Sequence, residues 1–228
     1  MASQRKCPSA KREVHPISKT IATYLQIGIT YPRLGRRHPI IELGTKQKAI
    51  REAHSLLQKF GFNGFSFQHI ADTLGIKKPS LYAHFESKEA LGLDIIETYK
   101  QWFFNWVDTT SETTSEQKIS AYYDMLFKIS QKGKLYCPIA SLNAESHTPP
   151  PSMRKELKSM HELQVNWMKK IITEGQATSN FRCDLTVDEL ADFVIGLSVG
   201  GQFLARIVTD SEKLKTMKRH AFLFLQGS

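Results

Sequence analysis

Residues 66–85 constrain this chain more tightly than any other stretch. They read Ser66-Phe67-Gln68-His69-Ile70-Ala71-Asp72-Thr73-Leu74-Gly75-Ile76-Lys77-Lys78-Pro79-Ser80-Leu81-Tyr82-Ala83-His84-Phe85. Ser66 is placed to cap a helix, its hydroxyl offered to an orphan backbone N–H. Phe65 before that cap and Ile70 at the fourth helical position are spaced for a hydrophobic staple. Gly75 ends the helix, because a positive φ is cheap for glycine. A second short helix over 78–84 tolerates Pro79 in its first turn. Ile70, Leu74, Ile76 and Leu81 would form a small shared core, with Ala71 where the two helices cross. The outward residues are short or polar: Lys77, Lys78, Ser80, Tyr82 and His84. This pattern predicts two short helices meeting at a steep angle. The second suits a DNA major groove, about 12 Å wide, with its cations and hydroxyls turned to phosphates.

The flanks are helical too. Ile50, Ala53, His54, Leu57 and Phe60 share one helix face, which Gly61 closes. Ser87 caps a long helix that runs through Ile95, Ile96, Tyr99, Phe103 and Trp106, with Glu89 in its first turn. Residues 108–115 read as a polar loop. Further helices are predicted near 116–131, 138–146, 152–175, 186–207 and 211–225, with breaks at 147–152 and 175–184. No strand pattern, repeat or low-complexity tract stands out, so the fold class is all-α. Three regions follow: a basic extension over 1–44, a three-helix DNA-binding domain over 45–92, and a helical domain over 93–228.

Composition narrows the function. The chain has 228 residues, 41% hydrophobic and 23% charged, in the range of a folded globular protein. No apolar run is read as a membrane span and no signal peptide is read at the N-terminus, so the expected location is the cytoplasm. Cys7, Cys137 and Cys183 are too few and too scattered for a disulfide framework, which fits a reducing compartment. No metal-ligand spacing, phosphate loop or Ser/His/Asp spacing appears. Neither a metal, a cofactor nor an enzymatic reaction is therefore expected. The net charge is +9. Residues 1–44 hold eight Lys/Arg against Glu13 and Glu42, a net +6, which leaves +3 for the remainder. Affinity of the body for a polyanion must come from a local patch.

Residues 45–108 resemble the DNA-binding domain of TetR-family regulators. Gly61-Phe62-Asn63-Gly64-Phe65-Ser66-Phe67-Gln68-His69-Ile70-Ala71 is similar to that family's approach to its second helix. Leu81-Tyr82-Ala83-His84-Phe85 followed by Ser87-Lys88-Glu89-Ala90-Leu91 is similar to its recognition helix and the start of helix four. The resemblance implies that Ser66 caps helix two and touches a phosphate. It puts Lys78 and Ser80 near base edges or phosphates, Tyr82 and His84 on the backbone, and Lys88 on another phosphate. Lys46, Gln68, Lys77 and Pro79 complete the expected DNA-binding set. Lys77 departs from the usual Ser or Thr cap, Ala83 from a larger residue, and Phe65 from a small hydroxyl residue.

The resemblance further implies a homodimer on a palindromic DNA operator, most simply a repressor, released by an apolar or aromatic small molecule. Trp102, Trp106, Tyr123, Phe127, Asn143, His161 and Trp167 are candidate effector-pocket residues. Core packing is the competing role for the aromatic ones. Residues 186–225, with Gly196, Gly200 and Ala205 among Phe193, Leu197, Leu204 and Val208, are the expected dimer interface. Tyr136-Cys137-Pro138 looks like a helix start of some TetR subgroups. Cys137 there is either a buried apolar side chain or a redox-sensing thiol. The alternative function is a DNA protein that organises the chromosome without a ligand.

Overall fold

The structure is a computed structural model and describes residues 44–130, 135–145 and 148–227. The basic extension expected over 1–44 lies outside these residues except for Gly44, which precedes the first helix. Among the described residues all regular structure is helical: α1 Thr45–Phe60, α2 Phe67–Leu74, α3 Lys78–Tyr82, α4 Lys88–Asp108, α5 Ser115–Ser130, α6 Pro138–Ala144, α7 Pro151–Ala177, α8 Val187–Ile207 and α9 Glu212–Gln226. The expected boundaries hold to within a few residues; α3 stops at Tyr82, two residues short of the expected end.

The described chain packs as two compact units. The first gathers residues 44–106 and 135–160, the second residues 107–130 and 161–227. The first unit is larger than the DNA-binding domain expected over 45–92, because nearly all of α4, all of α6 and the first turns of α7 pack with α1–α3. In it, Ala49, Ala53, Leu57, Ile70, Ala71, Leu81, Leu91 and Ile96 are buried, as the 3.6-residue periodicity requires. Gly92 lies against Met153 of α7 and Phe62: a Cβ there would fall 2.6 Å from Met153 Cε and 3.0 Å from Phe62 Cε2. Lys100 is buried in α4, a position that demands a partner. Its Nζ donates to Glu156 Oε2 at 2.5 Å and to Ser159 Oγ at 3.3 Å. That ion pair holds the Glu156 carboxyl below the usual carboxylate range.

His54 also sits inside this core, and burial lowers its pKa from 6.5 to about 4. The folded form therefore keeps the imidazole neutral where the unfolded chain would protonate it. Stability should fall as the pH drops from 6.5 towards 4, by up to about 1.4 kcal/mol per pH unit. Urea unfolding at pH 7, 6 and 5 should show this slope, and His54→Gln should remove that part of it. An equal slope in the variant would contradict the assignment to His54.

The second unit is built on α5, α8 and α9, which pack on one another. Thr186 and Glu189 form a capping box at the start of α8, the Thr186 backbone N–H donating to Glu189 Oε2 at 2.8 Å. Leu190, Ala191, Val194, Ile195, Ser198, Gly201, Gln202 and Ala205 form the inner face of α8. A Cβ on Gly201 would fall 2.7 Å from Met217 Cγ, so α8 and α9 approach closely there. The opposite face is apolar as well: Gly196, Val199, Gly200, Phe203, Leu204 and Ile207 are exposed, Ile207 by 74%. With both faces apolar, α8 is long and apolar enough by composition to cross a bilayer. One of its two faces is packed inside its own unit, which accounts for half of that apolar character.

Candidate nucleic-acid interface

Local chemistry builds the α2–α3 pair. The Ser66 backbone N–H donates to His69 Nδ1 at 3.3 Å, so His69 fills the place that Glu or Gln takes in a capping box. Gln68 Nε2 donates to Asp72 Oδ1 at 2.7 Å, and Thr73 Oγ1 donates to His69 O at 2.9 Å. At the far end Gly75 is left-handed, with φ 66° and ψ 31°. Its N–H donates to Asp72 O at 3.3 Å and that of Ile76 to Ala71 O at 3.0 Å, a Schellman motif. The helix thus stops on glycine, and the chain turns sharply into α3.

Lys77 stands at the N-cap of α3 and makes no side-chain capping bond, as its departure from Ser or Thr implies. Leu81 is the one buried residue in this five-residue helix. Ile70, Ala71 and Leu81 are fully buried as expected, while Leu74 and Ile76 are half-buried. Sequence reasoning left out Phe67 and Phe85. Both are buried, and Phe67 meets Tyr82 edge-on at 5.0 Å and Phe85 at 6.3 Å.

The expected DNA-binding residues separate into two groups. Lys77, Lys78, Pro79, Ser80, Tyr82 and His84 are all exposed on α3 or next to its ends. Tyr82 is 52% exposed, and Lys78 Nζ lies 6.0 Å from the centre of its ring. Gln68 is exposed on α2 and Ser66 half-buried. Lys46 is exposed but pairs with Asp94 Oδ2 at 2.8 Å and lies 5.6 Å from the Phe85 ring. Lys88 turns inward. Its Nζ donates to Phe65 O at 2.5 Å and sits 4.7 and 4.6 Å from the Phe62 and Phe65 ring centres. Burial pulls its pKa below the ordinary lysine value, and the Glu145 carboxylate pulls it back up. Ser87 Oγ accepts from Ala90 N at 3.0 Å and so caps α4.

The candidate effector-pocket residues divide between the units. Trp102, Trp106 and Asn143 belong to the first; Tyr123, Phe127, His161 and Trp167 belong to the second. Trp102 packs on Tyr99 at 5.3 Å and Trp106 on Phe103 at 5.9 Å. Tyr123 is buried, its hydroxyl donates to Val194 O at 3.1 Å, and burial pushes its pKa well up. Phe127 lies under Lys215 Nζ at 4.7 Å, and Trp167 beside Tyr122 at 5.8 Å. Asn143 and His161 are exposed. Cys137 is 4% exposed at the N-cap of α6, with Sγ 3.2 Å from Tyr99 Oη. Burial raises its pKa, against hydrogen bonds from Tyr99 and the Ala140 and Ile139 backbone. This environment favours the neutral thiol over the reactive thiolate. Among the described residues, no three His, Cys, Asp or Glu side chains are grouped to hold a metal.

Two family models match this chain. One, described as bacterial regulatory proteins of the tetR family, covers residues 49–95; the other, a tetracyclin repressor-like C-terminal domain, covers residues 116–221. The HTH-type transcriptional repressor DhaR of Mycobacterium sp. (strain GP1) is 28% identical over 173 residues, 74% of this chain and 86% of that protein. The HTH-type transcriptional repressor ComR of Escherichia coli is 24% identical over 176 residues, 74% of this chain and 83% of that protein. Among solved structures, a TetR transcriptional regulator from Legionella pneumophila superposes with a TM-score of 0.73 at 26% identity, covering 81% of this chain and 98% of its own. With α2 and α3 presenting a polar face ahead of a helical C-terminal half, and with both halves matched by models of one family, the chain belongs to the TetR family of helix-turn-helix transcriptional regulators.

Proposed function

We propose that the protein is a cytoplasmic, homodimeric repressor whose two α3 helices enter successive major grooves of a palindromic operator. The carrying observation is the fully outward, cationic and hydroxylated surface of α3, held by one buried leucine. Recognition helices of such a dimer should lie about 34–36 Å apart, one turn of DNA. Lys77 and Lys78 are the phosphate-seeking cations in this reading; Ser80, Tyr82 and His84 add hydrogen bonds at the backbone or base edges. DhaR and ComR are named repressors, which supports the sign of regulation.

The outer face of α8 supports the dimer. A Cβ on Gly196 or Gly200 would meet nothing within 4 Å, unlike one on Gly201. Glycine is not needed there for packing inside the protomer, whereas a second copy's helix could approach closely along that stripe. Phe193 stacks on Phe224 of α9 at 3.8 Å, and Leu223 is 50% exposed, extending the apolar surface over α9. A small-molecule effector would act by stabilising a state with another spacing of the α3 helices. Trp102, Trp106, Tyr123, Phe127 and Trp167 stand as its aromatic candidates, Asn143 and His161 as its polar ones. The exposure of Asn143 and His161 favours roles outside a closed cavity.

Salt dependence tests the phosphate contacts. With a duplex recovered by selection from random DNA, Lys77→Ala and Lys78→Ala should each weaken binding and reduce the slope of log affinity against log salt by about one unit. Lys88→Ala should leave that slope unchanged, because its ammonium is held by the Phe65 carbonyl and two rings. A slope reduced by Lys88→Ala and untouched by the other two would overturn this division of roles.

A further inference from the structure

We propose that Glu145, at the end of α6, is a positioning residue for DNA binding: it fixes the α1–α2 turn from which the reading head starts. The inference rests on the DNA-binding reading above.

The turn spans residues 61–65; Phe62 and Phe65 are buried within it and their rings meet edge-on at 6.0 Å. Asn63 and Gly64 are exposed. Glu145 reaches it from more than eighty residues away. Its Oε1 accepts the Phe62 backbone N–H at 2.5 Å; its Oε2 accepts the Asn63 N–H at 3.3 Å and Asn63 Nδ2 at 2.6 Å. Such charge-assisted bonds are among the stronger ones a protein makes. Gly61, whose φ of 78° suits glycine, also lies close to this carboxylate: an added Cβ would fall 2.4 Å from Glu145 Oε1. Behind Glu145 the α6 segment is itself tied to α1. Ser141 Oγ donates to Leu57 O at 3.3 Å, and Gln58 Nε2 donates to Tyr136 O at 3.0 Å. On the other side, Lys88 pins Phe65 O and lies between the Phe62 and Phe65 rings. The turn is thus gripped between a carboxylate and an ammonium. The next residue, Ser66, is the N-cap of α2.

A turn held in place before DNA arrives loses less conformational freedom on binding. Charge alone makes the opposite prediction: deleting an anion from a DNA-binding unit should strengthen its hold on DNA. The two effects have opposite signs, so affinity separates them.

The test uses the full chain and the duplex that the wild-type protein selects from random DNA. Glu145→Ala should weaken binding about tenfold with the salt slope unchanged, since no phosphate contact is lost. Glu145→Gln keeps an oxygen acceptor and should recover most of that, to within roughly threefold of wild type. Amide hydrogen exchange at Phe62 and Asn63 should speed up in Glu145→Ala and less in Glu145→Gln, while residues in α8 stay as in wild type. Equal or tighter binding by both variants would overturn the inference and leave the DNA-binding reading standing. Absence of any preferred duplex for the wild-type protein would overturn both.

Discussion

Leu81→Ala should cost this protein more stability and function than any other single truncation in α3. Leu81 is 0% exposed and is the only buried side chain of that helix. A five-residue helix has no stability of its own, since nucleation alone is unfavourable and few hydrogen bonds follow it. Its position depends on packing against α2, and Leu81 is the side chain it buries. Removing that side chain should cost about 2–5 kcal/mol, a large part of the stability of a small domain. Sequence-selective DNA binding should disappear before the fold does, because α3 detaches while α1, α4 and α6 remain packed. Denaturant unfolding beside binding to the selected duplex checks both parts. A variant with wild-type affinity would show that α3 is anchored by something other than Leu81.

Gly200→Glu should convert the protein to a monomer. Gly200 lies at the centre of the outer face of α8, between Gly196 and Phe203 along one stripe. Within the protomer a Cβ there meets nothing within 4 Å and the position is exposed, so the substitution should leave each subunit folded. In a dimer built on this face, two glutamates would be driven into an apolar contact, where an unpaired charge is expensive. Losing the partner also loses the second half-site as an intramolecular contact, so operator affinity should fall by about 10²–10⁴. Sedimentation equilibrium and operator titration measure the two effects. A Gly200→Glu protein that remained dimeric at micromolar concentration would move the interface off this face.

The α2–α3 pair was legible because its determinants are local. Ser66, Gly75, Pro79 and Leu81 each act on a neighbour within one or two turns, and sequence spacing records such relations directly. The helix C-terminal to them was legible for the same reason, through Ser87 and the apolar spacing of α4. Residues whose roles come from distant partners were not. Lys88 looked like a phosphate ligand because it stands at a helix start, yet Phe65 and Phe62 draw its ammonium inward. Glu145 gave no sign of its bonds to Phe62 and Asn63, which lie 82–83 positions away. Lys100 was passed over on an apolar helix, and only the fold supplies Glu156 and Ser159. The same holds for α6, which joins α1 through Tyr136 and Ser141, a pairing that no periodicity encodes. For the effector site, aromatic content was visible but not its arrangement. Tyr123 shows why, since its hydroxyl is buried and donates to the Val194 carbonyl, an arrangement that the residue type alone does not record.

Selection of bound sequences from random duplex DNA by the 228-residue chain tests the central claim most directly. A dimer presenting two α3 helices should enrich an inverted repeat whose half-sites are centred about 10 base pairs apart, at moderate salt. Recovery of no enriched sequence, or of a single unrepeated half-site by a dimeric protein, would contradict it.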